Sequence, residues 1–287
     1  MKFSQSGLPK HKIVEEAFAY SHANTMALQN EALKNFQQQI DMAHSQNMMM
    51  LDMEKQAGAM KEDEYKQQKI LLERMRSDQL KAGPALVADE LEKMFESRRL
   101  APALEIVGHS EKAAPELIAA VMLIDCVRSP VDYQRIVKTF GENIAGLIAE
   151  IVHIDAYPSE RDANLMQAGV DTKRAYMALL ITSLDQITAQ IARTSQDNPM
   201  QRIMFPPGQE EQLHGNARLM WGNDAKLDKR FIDSFNRASD AASSSYKMEV
   251  DADGKLELVK GSFKNPNIHP PFPGGPGPGK GLGDDVF

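Results

Sequence analysis

The chain has 287 residues, with 33 Lys or Arg against 40 Asp or Glu and a net charge of −7. No overall positive field draws it onto nucleic acid or an anionic membrane. Its single cysteine, Cys126, excludes an internal disulfide and a multi-cysteine zinc site, which fits a reducing, cytoplasmic setting. The longest apolar run, Leu117 to Ile124, falls far short of the ~20 residues that cross a bilayer, and the N-terminal residues lack the apolar core of a secretory signal.

With 6% aromatics, 17 Met and long stretches free of Pro and Gly, the composition predicts an all-α fold. The first zone, residues 1–82, is rich in Gln, Glu, Lys, Ala and Met, all good helix formers. It reads as a helical arm or hairpin. Apolar residues recur at Val14, Phe18, Leu33, Phe36 and Ile40, then at Met49, Met53, Met60, Ile70, Leu71 and Met75, in too broken a heptad for a coiled coil. So thin an element cannot bury that stripe internally, so the stripe packs on the rest of the chain or on a partner. Met48, Met49, Met50 and Met53 are flexible and polarizable, which suits either a partner-binding surface or ordinary packing.

The second zone, residues 83–198, opens at the break signal Gly83-Pro84. Leu117, Val121 and Ile124 share one helix face and Ile118 and Met122 the next, so this helix is apolar nearly all round and belongs in the core. Ser129 then stands as N-cap, Pro130 at the first helical position and Asp132 three residues on. Tyr133, Ile136, Val137 and Phe140 form the inward stripe of that helix, which Gly141 stops. Ile144, Leu147, Ile148 and Ile151 mark another, and residues 159–169 a loop or short helix. A long helix starts at Asp171-Thr172, with Leu180, Leu184, Ile187 and Ile191 on one face.

In the third zone, 199–245, a Phe205-Pro206-Pro207-Gly208 connector leads to two amphipathic segments, Glu210 to Trp221 and Lys226 to Ala242, which cap the core. Residues 246–264 alternate around Asp253-Gly254 and predict a small β-hairpin. A calcium loop from Asp251 would need Glu where Ser262 stands. The tail, 265–287, holds 6 of the 15 Pro and 6 of the 18 Gly and is expected to be disordered. It offers Phe272 within Pro270-Pro271-Phe272-Pro273 as a polyproline-type ligand, or the Phe287 carboxylate, as docking points. A solvated spacer is the plainer alternative.

The run Ala119-Ala120-Val121-Met122-Leu123-Ile124-Asp125-Cys126-Val127-Arg128-Ser129, followed by Tyr133 and Phe140-Gly141-Glu142-Asn143-Ile144, resembles the HD domain of RelA/SpoT-type guanosine tetraphosphate hydrolases. Ser183-Leu184-Asp185-Gln186-Ile187-Thr188 resembles a second signature of that family, on a long helix. The likeness covers about residues 100–194. In active members two His and two Asp hold a divalent metal, and a Glu-Asp pair assists attack by water, chemistry that needs fixed ligands and an adjacent base.

Here Ile124 stands at the doublet's His position, Leu100-Ala101-Pro102 supply no first His, and Arg128-Ser129 replace the Glu-Asp pair. Only Asp125 and Asp185 match, as vestigial candidates, and two carboxylates without imidazoles make a poor transition-metal site. Arg128 offers Asp125 a structural partner on the same helix. His153, near a helix end, reads as a cap, His109 as a loop residue, and Cys126 as a small core residue.

The resemblance thus implies a degenerate, non-catalytic HD-type core without metal or cofactor. The expected function is an adaptor or scaffold subunit of a bacterial cytosolic multiprotein assembly, of which a secretion-system coupling complex is one setting, with arm and tail binding other proteins. Two other readings stay open. One is a nucleotide-sensing module with Arg98, Arg99 or Arg128 lining a guanosine tetraphosphate pocket. The other is a divergent metal-dependent phosphohydrolase relying on Asp125 and Asp185.

Overall fold

The computed structural model describes residues 7–111, 113–197, 205–244 and 246–260. Two long helices come first, α1 (Lys12–Gln56) and α2 (Glu62–Phe95). The His11 side chain accepts from the Ile13 N–H at the start of α1, and the Glu64 carboxylate accepts from the Lys61 N–H at the start of α2. Between them Gly58 takes φ +72°, which reverses the chain. Cross-pairs fix an antiparallel hairpin: Arg76 with Asp41 at 2.8 Å, Glu73 with His44 at 3.5 Å, Glu62 with Lys55 at 3.0 Å. Ile40, His44, Met48, Leu51 and Lys55, spaced by four or three residues, form the seam of α1 toward α2.

The expected break at Gly83-Pro84 is not there, because α2 runs straight through it. The glycine serves packing instead. A Cβ on Gly83 would lie 2.3 Å from Cε1 of Phe36, so only hydrogen leaves room for the ring where α1 and α2 approach. Pro84 gives up one backbone hydrogen bond, but its fixed φ is compatible with a helix. The root of the arm belongs to the core, since Val14, Ala17 and Phe18 of α1 and Phe95 of α2 are buried in the main apolar cluster.

After α2 the chain continues through a π-helical turn, Glu96–Leu100, into α3 (Ala101–His109). Helix α4 (Pro115–Leu123) is buried at every residue from Leu117 to Leu123, as its all-round apolar surface requires. A 3-10 turn, Ile124–Cys126, leads to α5 (Pro130–Phe140), where Ser129 Oγ accepts from the Asp132 N–H at 3.2 Å. Helix α6 (Glu142–Ala156) follows Gly141, and α7 (Arg161–Gln167) occupies the stretch left open between loop and helix. The long α8 (Val170–Asp197) packs against α3, α6 and α10.

Helices α9 (Gln209–Met220) and α10 (Ala225–Ala241) close the core, with Leu227, Phe231 and Phe235 of α10 buried. Strands β1 (Tyr246–Val250) and β2 (Leu256–Lys260) pair antiparallel, Val250 opposite Leu256. The hairpin is tied to α10 by Asn236, whose amide donates to the Met248 carbonyl and accepts from its N–H. The fold is therefore helical with one small hairpin. Among the described residues no helix is long and apolar enough to cross a membrane. Phe272, Phe287 and the rest of the tail lie outside the described residues.

Candidate functional site

The π turn between α2 and α3 is where the polar chemistry gathers. A π turn carries an extra residue, which re-phases the side chains on either side of it, and such turns recur at functional sites. Arg99, on this turn, is wholly buried. Its Nη1 donates to the Ser21 carbonyl and the Thr25 hydroxyl, both at 2.9 Å, and to Ser21 Oγ at 3.2 Å. Its Nη2 donates to Asn24 Oδ1 at 3.1 Å and to the Asp125 carbonyl at 3.4 Å. Every one of these acceptors is a neutral oxygen. Ser21 in turn donates to the Met122 carbonyl, so one guanidinium clamps α1, the π turn and the end of α4 together.

Beside this clamp a cleft of about 550 Å³ opens between the π turn, the 3-10 turn, α6 and α8. Ser97, Arg98, Asp125, Asp155, Thr182 and Gln186 give it polar walls, and Ile124, Ile151, Val152 and Leu179 an apolar side. The Oδ2 atom of Asp125 is itself buried away from the cleft's open space and has no hydrogen-bond partner. The expected pairing of Asp125 with Arg128 does not form. The helix gives way at Ile124 and Val127 is extended, so positions three apart no longer share a face. The backbone N–H of exposed Arg128 donates to Asp132 Oδ2 at 3.3 Å.

Asp185 lines a second cleft, of about 690 Å³, on the other side of Ser97, Thr182 and Gln186, together with Lys93, Glu105 and Arg193. It accepts hydrogen bonds from Arg230 and, at 2.9 Å, from Arg237, while Glu105 accepts from Arg230 at 2.8 Å. Burial opposes the charge, yet these bonds from Arg237 and Arg230 hold the Asp185 carboxyl below the usual range. Asp125 and Asp185 thus face different clefts. Among the described residues no three His, Cys, Asp or Glu side chains are grouped to hold a metal.

Of the three arginines expected around a pocket, Arg98 lines the first cleft, Arg99 is the buried clamp and Arg128 lies outside both clefts. His109 ends α3, 3.6 Å from Glu105, rather than lying in a loop. His153 sits exposed in the last turn of α6 against the Tyr157 ring. Burial pushes the Cys126 thiol up, only partly offset by Arg99, and leaves it a poor nucleophile.

On the arm, Met49, Met50 and Met53 are 66%, 61% and 58% exposed, whereas Met48 turns into the seam. Met42, 59% exposed, had no place in the sequence-based cluster. Spaced by seven and four, Met42, Met49 and Met53 share the face of α1 opposite the Ile40–Leu51 seam. Ile70, Leu71 and Met75 of α2 are exposed at the same height of the hairpin.

A buried pair, Asp224 and Asp228, also escaped sequence analysis. Asp224 accepts from Ser110 Oγ at 2.7 Å and Arg174 Nε at 3.1 Å, joining α3, α8 and α10. Burial pushes the neighbouring Asp228 up to about 6, against the Gly222 N–H that it accepts. No family model, curated protein or solved structure matches this chain.

Proposed function

We propose that the protein is a non-catalytic adaptor of a cytosolic multiprotein assembly, holding a partner helix against the outer face of its arm. The observation that carries this reading is the exposed stripe Met42, Met49 and Met53, on a helix whose opposite face is already occupied by α2. Contiguous exposed apolar surface on a polar background marks interaction sites. Unbranched thioethers adapt to varied partner shapes, and spacings of seven and four suit a helix lying along the stripe.

The absence of a reaction centre in this reading rests on geometry. The two carboxylates that the HD resemblance pairs face separate clefts, and one of them is neutralised by two arginines. The test is affinity capture from the native cell with the full chain and with the triple variant Met42→Ser, Met49→Ser, Met53→Ser. The wild-type chain is expected to bring down stoichiometric proteins that the variant loses, at unchanged thermal stability. An identical set of captured proteins with both chains, or none with either, contradicts the proposal.

A further inference from the structure

Helix α2 meets α1 through Tyr65, Arg76 and Gly83, which reach Asp52, Asp41 and Phe36. A different face of α2 carries Glu64, Leu71, Met75, Ala82, Leu86 and Lys93, all exposed, at steps of seven, four, seven, four and seven. Seven and four together make an 11-residue repeat of about 3.67 residues per turn, so the row runs nearly parallel to the helix axis. Leu71, Met75 and Leu86 are 55%, 50% and 57% exposed, and they stand in line rather than scattered. The steps read the same in both directions about a point between Asp78 and Gln79. Laid on its own reverse, the row sets leucine on leucine, methionine on alanine and glutamate on lysine.

We propose that this face pairs with the same face of a second copy of the chain, α2 against α2 in antiparallel, about a two-fold axis between Asp78 and Gln79. In that register Leu71 of each copy lies beside Leu86 of the other, large Met75 beside small Ala82, and Glu64 beside Lys93 at both ends. A two-fold contact makes every pairing twice, so like charges at matching positions would repel, whereas this row brings opposite charges together. A parallel pairing would set Glu64 on Glu64 and Lys93 on Lys93. Asp78, at the edge of the row beside the axis, comes near its own counterpart, but Arg74 stands 3.8 Å from it and compensates the charge. At ~1.5 Å per residue and a helix width of ~10–12 Å, the row buries roughly 1,000 Å² over both copies, the low end of specific interfaces. The dimer is therefore reversible. Its contact lies on α2 and is independent of partner binding by the methionine stripe of α1.

Sedimentation equilibrium of the full chain from about 1 to 100 µM, the range that an interface of this size calls for, tests the pairing. A monomer–dimer equilibrium within that range is expected. Met75→Glu, at a position exposed in the single chain, is expected to keep its circular dichroism and to weaken the dimer at least about 10-fold, because the charge is buried twice. Glu64→Lys and Lys93→Glu are each expected to weaken it about 3- to 10-fold, and the two together to restore it, which a parallel pair would not show. The triple variant Met42→Ser, Met49→Ser, Met53→Ser is expected to leave the dimer unchanged, so loss of captured proteins and loss of the dimer are read separately. Should Met75→Glu fail to fold, the charge swaps decide alone. A monomer throughout the range, a dimer indifferent to a folded Met75→Glu, charge swaps that do not restore each other, or a dimer lost in the α1 triple variant overturns the inference.

Discussion

The core and the arm are both helical, but they are held together to different depths. In α4 seven consecutive residues, Leu117 to Leu123, are buried, because neighbouring helices cover that helix on every side. Along the distal arm the buried apolar residues are Ile40 and Leu51, while Met42, Met49, Met50, Met53, Ile70, Leu71 and Met75 remain exposed. Propensity suffices to make a helix here, but stability comes from packing depth, and a layer two helices thick supplies little of it. The arm is thus cheap to open locally and free to meet a partner, while the core fixes the clefts.

The largest effect that sharpens this contrast is expected from Phe231→Ala, at a wholly buried position of α10. Denaturant titration should show a loss of about 3–5 kcal/mol. Met49→Ala, on the exposed stripe, should change stability by less than about 0.5 kcal/mol. Next comes the junction between the two regions. Arg99→Met removes the donor shared by Ser21, Thr25, Asn24 and Asp125, and by leaving buried acceptors unserved should cost about 3 kcal/mol in the same titration.

A smaller pair of substitutions separates packing from propensity. Gly83→Ala drives a methyl into the Phe36 ring and should destabilise by about 1–3 kcal/mol, whereas alanine usually improves a helix. Gly146→Ala, within α6 and with nothing within 4 Å of the added carbon, should stabilise by about 0.5–1 kcal/mol. Equal signs for the two would show that Gly83 is not a close-approach site.

The smallest effect is in pH dependence. Asp228 titrates near 6 when folded and in the ordinary range near 4 when unfolded. Between about pH 4 and 6 the folded chain therefore binds more protons, and stability falls as pH rises through that window. Asp228→Asn should flatten this slope, read as a smaller difference in Tm between pH 5 and 7.5. Asp185, held below the usual range, works the other way, and its contribution is lost as pH falls below about 4.

Much of the fold was legible in short-range patterns. The Ser129 cap with Pro130, the stripes of α5 and α6, the all-round apolar α4 and the turn at Asp253-Gly254 are local signals, and local chemistry decided them. Gly83-Pro84 misled because its cause is 47 residues away in Phe36, a tertiary contact that no window along the chain contains. The clamp was illegible for the same reason: a buried arginine on neutral oxygens from α1 and the 3-10 turn leaves no charge pattern. Asp125 was singled out from its motif, but its missing partner depended on how the helix ends at Ile124. The arm's methionines were visible as a cluster, yet only the register of the hairpin separates Met48 in the seam from Met49 and Met53 outside it.

The division of labour between arm and core is tested most directly by removing the distal arm and asking what is lost. Residues 40–77 lie beyond Phe36 and Gly83 in matched register, so a short turn can replace them without disturbing the buried root of α1. Affinity capture with this shortened chain, shown to be folded by a cooperative thermal transition, is the measurement. The expected result is a folded core that no longer retains the proteins held by the full chain. A folded core that still retains all of them would contradict the claim that the arm is the docking element.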